Sequence, residues 1–149
     1  HHHPECSLYI IGDGPNRDNL RKQAASVKDV HFLGSMPHNE VLEFVNSSDI
    51  FVLPSKFEVS PISVLEAMSL EVPVVVTPVG ELPYILKHGK NCMFVSINNS
   101  VDLAEKILKL AEDRNSAKRI ARNGREFVEK RHDIEKIINK YIDIYYGSL

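Results

Sequence analysis

Two glutamates eight positions apart, Glu58 and Glu66, flank the segment "VSPISVL". Ser60 is a good helix N-cap residue, and Pro61 suits the first helical position because its missing N–H would have no partner there. A helix is therefore expected from about Pro61 to Ser69. Its first-turn N–H groups, around Ser60 to Ser63, would face back into the loop and form a site for phosphate. Glu58 precedes that site and Glu66 lies more than one turn inside the helix. At a rise of about 1.5 Å per residue the two carboxylates can lie roughly 10 Å apart, too far to act together as acid and base on one bond. The layout suits a ligand with hydroxyls at both ends and phosphates between them. Glu66 would accept from a ribose, the helix N-terminus would hold a diphosphate and Glu58 would accept from a sugar hydroxyl. The competing reading makes Glu58 a solvated loop residue and Glu66 a helix-surface residue. Against it, Val64, Leu65, Ala67 and Met68 surround Glu66 on a short helix that must pack, and a carboxylate there needs a partner.

The elements that must position these residues follow a regular pattern. Strand-like apolar runs at 7–11, 30–34, 50–54, 73–77 and 92–96 alternate with helical periodicity, which is the pattern of βα units and a parallel sheet. Leu20, Ala24 and Val27 mark the inner face of the first helix, and Val41, Leu42, Phe44 and Val45 that of the second. After Val95 the chain is helical. Ser100 is expected to cap a helix with Ala104, Ile107, Leu108 and Ala111 on one stripe. Another helix starts near Ser116, with Ile120, Ala121, Phe127 and Val128 inward and Gly124 permitting close approach. A last one after Asp133 carries Ile134, Ile137, Ile138, Tyr141, Ile142 and Tyr145 on a single side, a stripe expected to lie on the sheet or on a neighbour, with core packing the favoured reading. The fold class is α/β: a doubly wound, Rossmann-like parallel sheet with a helical C-terminal tail, in one domain over residues 1–149. Ligands of such sheets bind beyond the carboxyl ends of the strands.

One such loop is "GDGP", where Gly12 and Gly14 end a strand before a helix. It is either a tight turn or a close approach to a ligand, because the third glycine of a dinucleotide fingerprint is replaced by Arg17. Asp29 stands at about the distance at which such a fold reads a ribose.

Composition narrows the class. With 20 acidic and 18 basic residues the formal net charge is -2, so a nucleic-acid partner is not expected. The basic residues between Lys118 and Arg131 alternate with Glu126 and Glu129 as on a solvated helix face. Cys6 and Cys92 form neither a disulfide framework nor a zinc pattern, which fits a reducing cytoplasm. No apolar run approaches the roughly 20 residues that span a bilayer. The leading "HHH", residues 1–3, reads as a tag remnant rather than a metal site.

The E-x7-E spacing of Glu58 and Glu66 stands within "DIFVLPSKFEVSPISVLEAMSLEVPVVVTPVGELPYILKHGKNCMFV". Together with "LYIIGDGPNRDNLRKQA", "VHFLGSMPHNEVLEFVNSSDIFVLPS" and a closing "YIDIYY", it resembles the donor-binding C-terminal half of retaining glycosyltransferases of family 4, of GT-B architecture. That resemblance implies that Glu58 contacts the transferred sugar, in the catalytic position, and Glu66 the ribose. Ser60, Pro61 and Ile62 would meet sugar and diphosphate, and Leu65 would lie beside the nucleoside. Ser35 and Met36 would border the base, with Gly12 and Gly14 also on the donor. The donor would be a nucleotide-sugar such as a UDP-sugar or GDP-sugar, held without a metal or other cofactor. The partner would be the N-terminal acceptor domain of a longer protein that is cytoplasmic or peripheral at a membrane and transfers the sugar, a hexose, to a glycan or lipid-linked acceptor.

The sequence departs from the family pattern at four places. Glu71 and Cys92 replace expected glycines, Glu81 replaces the second glycine of "GG-x-P-E", and Tyr84 replaces its glutamate. Glu81 could stand in for the lost carboxylate. A first βα unit that bears an arginine and a lysine for the diphosphate is missing, so the chain reads as a fragment inactive alone, and a homodimer is one way to cover the edges this exposes. The alternatives are an oxidoreductase or sensor domain built on "GDGP", and a non-catalytic nucleotide-binding or assembly domain that kept the fold.

Overall fold

A computed structural model describes residues 6–131 and 134–146. The "HHH" segment and Asp133 lie outside the described residues, and the last helix begins after Asp133 as expected. The elements run β1 (Leu8–Ile11), α1 (Arg17–Ala24), β2 (Val30–Gly34), α2 (His38–Asn46), β3 (Phe51–Leu53), α3 (Ile62–Ser69), β4 (Val74–Val76), α4 (Leu82–Ile85), β5 (Met93–Phe94), α5 (Ser100–Glu112), α6 (Arg114–Arg131) and α7 (Ile134–Tyr146). Every strand falls inside an expected run, every described pairing is parallel, and helices flank the strands. This is the Rossmann-like α/β class. The strands form two sheets, β1-β2 and β3-β4-β5, and the chain divides into two compact units, one up to Phe44 and one from Val45.

In the first unit β1 and β2 pair from Leu8 opposite Val30 to Ile11 opposite Gly34, with an irregularity between Ile10 and Ile11. Tyr9 stacks on the His31 ring at 4.8 Å between centroids, and Phe44 of α2 tilts against Tyr9 at 5.0 Å. The inward stripe expected for α1 is not buried: Leu20 and Val27 are exposed and the helix has no buried residue. A two-stranded sheet offers too little apolar surface to cover a full helical stripe.

The second unit holds the main core. Val74, Val75 and Val76 of the central strand β4 are fully buried, as a run of β-branched residues in a strand covered on both faces should be. Val75 joins Met93, Val95, Leu110 and Ile120 in one apolar cluster, with Ile50, Val52, Leu103 and Ala117 packed against it. The sheet meets α3 and α5, and α6 lies against both helices. Ile120, Ala121 and Gly124 of α6 are buried as expected. On α5 the stripe is rotated, because Leu110 is buried and Ala104 exposed. Its N-cap is Asn99 and not Ser100: the Asn99 side chain accepts the Asp102 N–H at 3.0 Å. The apolar stripe of α7 is also not core. Ile138, Tyr141, Ile142 and Tyr145 are exposed, since α3, α5 and α6 already supply the helical layer on the sheet.

The placement of α3 rests on one small residue. A Cβ at Gly124 would come within 3.3 Å of two side-chain atoms of Met68, which is itself fully buried. Gly124 thus lets α6 and α3 approach closely, and α3 is the helix that carries Glu66.

Candidate functional site

The second unit gathers most of the candidate residues between β3 and α3. The loop from Pro54 to Pro61 turns the chain from the sheet into the helix, as short loops at the carboxyl ends of parallel strands do. Helix α3 starts at Ile62, one residue later than expected. Pro61 is its N-cap in extended conformation (φ -75°, ψ 98°), and no side chain caps the helix. The first-turn N–H groups of Ile62 and Ser63 stand beyond the reach of the helix's own carbonyls, as in any helix start. Ile62 is exposed, Leu65 and Glu66 are half-buried and Pro61 is buried. Glu66 is the fifth residue of the helix, about 6 Å along the axis from the first.

Ser60 does not cap the helix because its hydroxyl is engaged elsewhere: it donates to Oε1 of Glu81. The Glu81 backbone N–H donates to the Val59 carbonyl at 3.1 Å. Gly80 lies between them at φ +58°, where a Cβ would be 2.5 Å from the Glu58 carbonyl oxygen and 2.6 Å from that of Val59. No side chain fits there. At the other end of the loop the Thr77 hydroxyl, only 1% exposed, donates to the Ser55 carbonyl, and the Ser55 hydroxyl donates to Oε1 of Glu58 at 2.8 Å. The half-buried Glu58 carboxylate is therefore fixed by a serine three residues before it and keeps further acceptor positions open.

Among the other departures from the family pattern, Glu71 adopts φ +58° just after α3, so the backbone conformation of the replaced glycine is kept by a residue that fits it less well. Cys92 is fully buried beside β5, and burial pushes its thiol up to about 12. Tyr84 is 88% exposed.

The first unit holds Gly12, Gly14, Ser35 and Met36. Gly12 has φ +117°, and its N–H donates to the Gly34 carbonyl at 2.7 Å, so the ends of β1 and β2 are tied together. The Gly14 N–H is taken by the Asp13 carboxylate at 2.8 Å, and Arg17 pairs with the same carboxylate at 2.6 Å. A loop whose Gly14 amide is held by its own acid is built as a turn, and this weighs against a dinucleotide cradle. Ser35 is exposed and Met36 half-buried just after β2.

Of the expected residues, the second unit brings Glu58, Ser60, Pro61, Ile62, Leu65 and Glu66 onto one loop and the helix that follows it. Sequence reasoning missed Ser55, Thr77 and Gly80. Ser55 was accessible from its spacing, three residues before Glu58. The other two depend on the loops after β3 and β4 meeting, which no local pattern reveals. Among the described residues no group of His, Cys, Asp or Glu is arranged to hold a metal ion, and no helix is long and apolar enough to cross a membrane.

Comparison with known proteins places this geometry in a context. A family model described as glycosyl transferases group 1 matches residues 1–127. N-acetyl-alpha-D-glucosaminyl L-malate synthase of Bacillus anthracis is 29% identical over 97% of this chain, and the chain spans 38% of that relative's length. Among solved structures, Anabaena Alr3699/HepE, crystallised in complex with UDP, superposes with a TM-score of 0.85 at 25% identity, covering 98% of this chain and 42% of that one. The C-terminal domain of the glycosyl transferase group 1 family protein LpcC from Francisella tularensis superposes at 0.76 with 28% identity, over 86% of this chain and 70% of that domain.

Proposed function

This chain belongs to the glycosyl transferases group 1 family, and from that premise we propose that it forms the donor-binding half of an enzyme that transfers a sugar from a nucleotide-sugar with retention of configuration. The observation that carries the proposal is the path from Glu58 to Glu66. One carboxylate is fixed by Ser55 at the end of β3, the open N-terminus of α3 follows, and a second carboxylate stands one turn inside that helix. In this reading Glu58 faces the transferred sugar and Glu66 the ribose. The backbone at Ser60, Pro61 and Ile62 meets the sugar and diphosphate, and Leu65 meets the nucleoside.

The chemistry assigned to these groups is modest and physical. A helix N-terminus offers unpaired N–H donors and a positive end, both of which favour a leaving diphosphate. Carboxylates are acceptors only, so they select hydroxyls over phosphates and separate the two ends of the donor. The proposal takes UDP-sugars as the donor class, by analogy with the UDP complex of the Anabaena protein, and assigns no metal to donor binding. It places the protein in the cytoplasm. Because the chain spans well under half of its curated relative, the acceptor is assigned to the remainder of a longer protein.

Calorimetric titration of this chain tests the reading. UDP and UDP-glucose should bind, the sugar ester more tightly, and Glu58→Ala should remove the increment due to the sugar. Binding of a nicotinamide dinucleotide, with UDP inert, would transfer the assignment to the oxidoreductase class, and no binding of any nucleotide would leave an assembly domain.

A further inference from the structure

The loop that carries Glu58 is held from both ends by the segment that follows β4. Thr77 ties its start through the Ser55 carbonyl. Glu81 ties its end twice, by its backbone N–H to the Val59 carbonyl at 3.1 Å and by its carboxylate to the Ser60 hydroxyl. Gly80 lets the two backbones approach to a distance that no Cβ tolerates. Ser60 and Glu81 are 21 positions apart in the chain, so neither loop would hold the other by local geometry alone.

We propose that Glu81 is a positioning residue: by holding Ser60 and Val59 it keeps the Glu58 carboxylate aligned on the sugar of a nucleotide-sugar, and so sets how strongly the site prefers the sugar ester over the bare nucleoside diphosphate. The inference rests on the donor reading of this site and goes beyond it, because the residue that fixes the preference stands outside the Glu58 to Glu66 segment. The physical reason is conformational. A free loop residue gives up backbone entropy when it is ordered, and a site aligned only part of the time loses apparent affinity in proportion to that fraction. The body of helix α3 is placed by its packing on α6 through Met68 and Gly124. Groups on the helix are therefore spared, and the loss falls on the sugar end.

Two variants and two measurements test this. Glu81→Ala removes the acceptor, and Glu81→Gln keeps an amide oxygen that can still accept from Ser60. In Glu81→Ala, amide exchange in the free protein should quicken over residues 55–60 and stay unchanged in α3 and β4. Affinity for UDP-glucose should fall by about tenfold, the worth of one charge-assisted hydrogen bond, while affinity for UDP stays within about twofold. Glu81→Gln should restore most of the UDP-glucose affinity and most of the protection from exchange. Equal losses for UDP and UDP-glucose, or a Gln variant as impaired as Ala, would overturn the positioning role. Unchanged exchange over residues 55–60 in Glu81→Ala would show that the Ser60–Glu81 bond does not hold the loop, and would overturn the proposal. A wild-type chain that binds neither ligand would instead refute the donor reading, with the exchange experiment still deciding whether the lock exists.

Discussion

Val72 donates its backbone N–H to the Ala67 carbonyl at 3.0 Å, closing the end of α3 around a glutamate in left-handed conformation. With the Glu71 N–H donating to the Met68 carbonyl at 3.0 Å, the pattern is a Schellman motif, a helix ending that favours glycine at the left-handed position. Glu71 carries the conformational cost of that position. Glu71→Gly should therefore raise stability by about 1 kcal/mol, the penalty of the left-handed region less the extra chain entropy of glycine. The check is urea denaturation with an unchanged slope. A lower midpoint would mean that the Glu71 side chain contributes more than the backbone strain costs.

Gly124 should tolerate no branched side chain. Its Cβ position is 3.3 Å from Met68, and both residues are buried between α6 and α3. Gly124→Val is expected to destabilise the chain by about 1–3 kcal/mol through overpacking. In a Met68→Ala background the same change should cost less, because the two sites share one contact. Additive losses in that double-mutant cycle would show that the two residues do not act on each other.

The thiols should differ in reactivity. Cys6 is exposed and Cys92 buried, with its ionisation raised to about 12 by desolvation, so thiolate at Cys92 is scarce at neutral pH. An aromatic disulfide reagent should titrate one thiol of the native chain rapidly and both after unfolding. Rapid labelling of two thiols under native conditions would contradict the packing at β5.

Acid should loosen the start of α5. The Ser96 backbone N–H donates to Asp102 at 2.7 Å and Lys106 pairs with the same carboxylate at 3.1 Å. The Ser96 bonds first, and then Lys106, hold Asp102 below the ordinary aspartate value of 3.8. A carboxyl depressed in the folded state adds stability that is complete above its unfolded value and is lost as pH falls through the folded one. The stability difference between wild type and Asp102→Asn should therefore be constant near neutral pH and shrink as pH falls through the ordinary aspartate value of 3.8 and below it. Urea melts across that range read it directly, and a difference that grows with acid would reverse the assignment.

How much of this was legible in the sequence depended on whether the determining contacts are local. Strand runs such as "PVVVT" identify themselves by their β-branched, nearly all apolar character, and the spacing of Glu58 and Glu66 brings one loop and one helix face together wherever that helix packs. Ser60 looked like a helix cap because its own neighbourhood allows it. Glu81, distant in sequence, takes the hydroxyl and the cap moves to Pro61. At α5 two adjacent cap-forming residues compete, and Asn99 rather than Ser100 reaches the Asp102 N–H. The stripes on α1 and α7 show the opposite failure. Leu20, Val27, Tyr141 and Tyr145 have helical spacing, yet spacing fixes only a shared face and not whether anything covers it.

The central claim is that the N-terminal part of α3 and the two glutamates around it hold a nucleotide-sugar donor. Calorimetric titration of UDP into wild type and Glu66→Ala tests it most directly, with the unfolding midpoint of the variant measured alongside. The account predicts that UDP binds the wild type and that Glu66→Ala weakens binding by about tenfold or more, the scale of a lost charged hydrogen bond to a ribose, with the fold intact. Equal UDP affinity in the two proteins would contradict it.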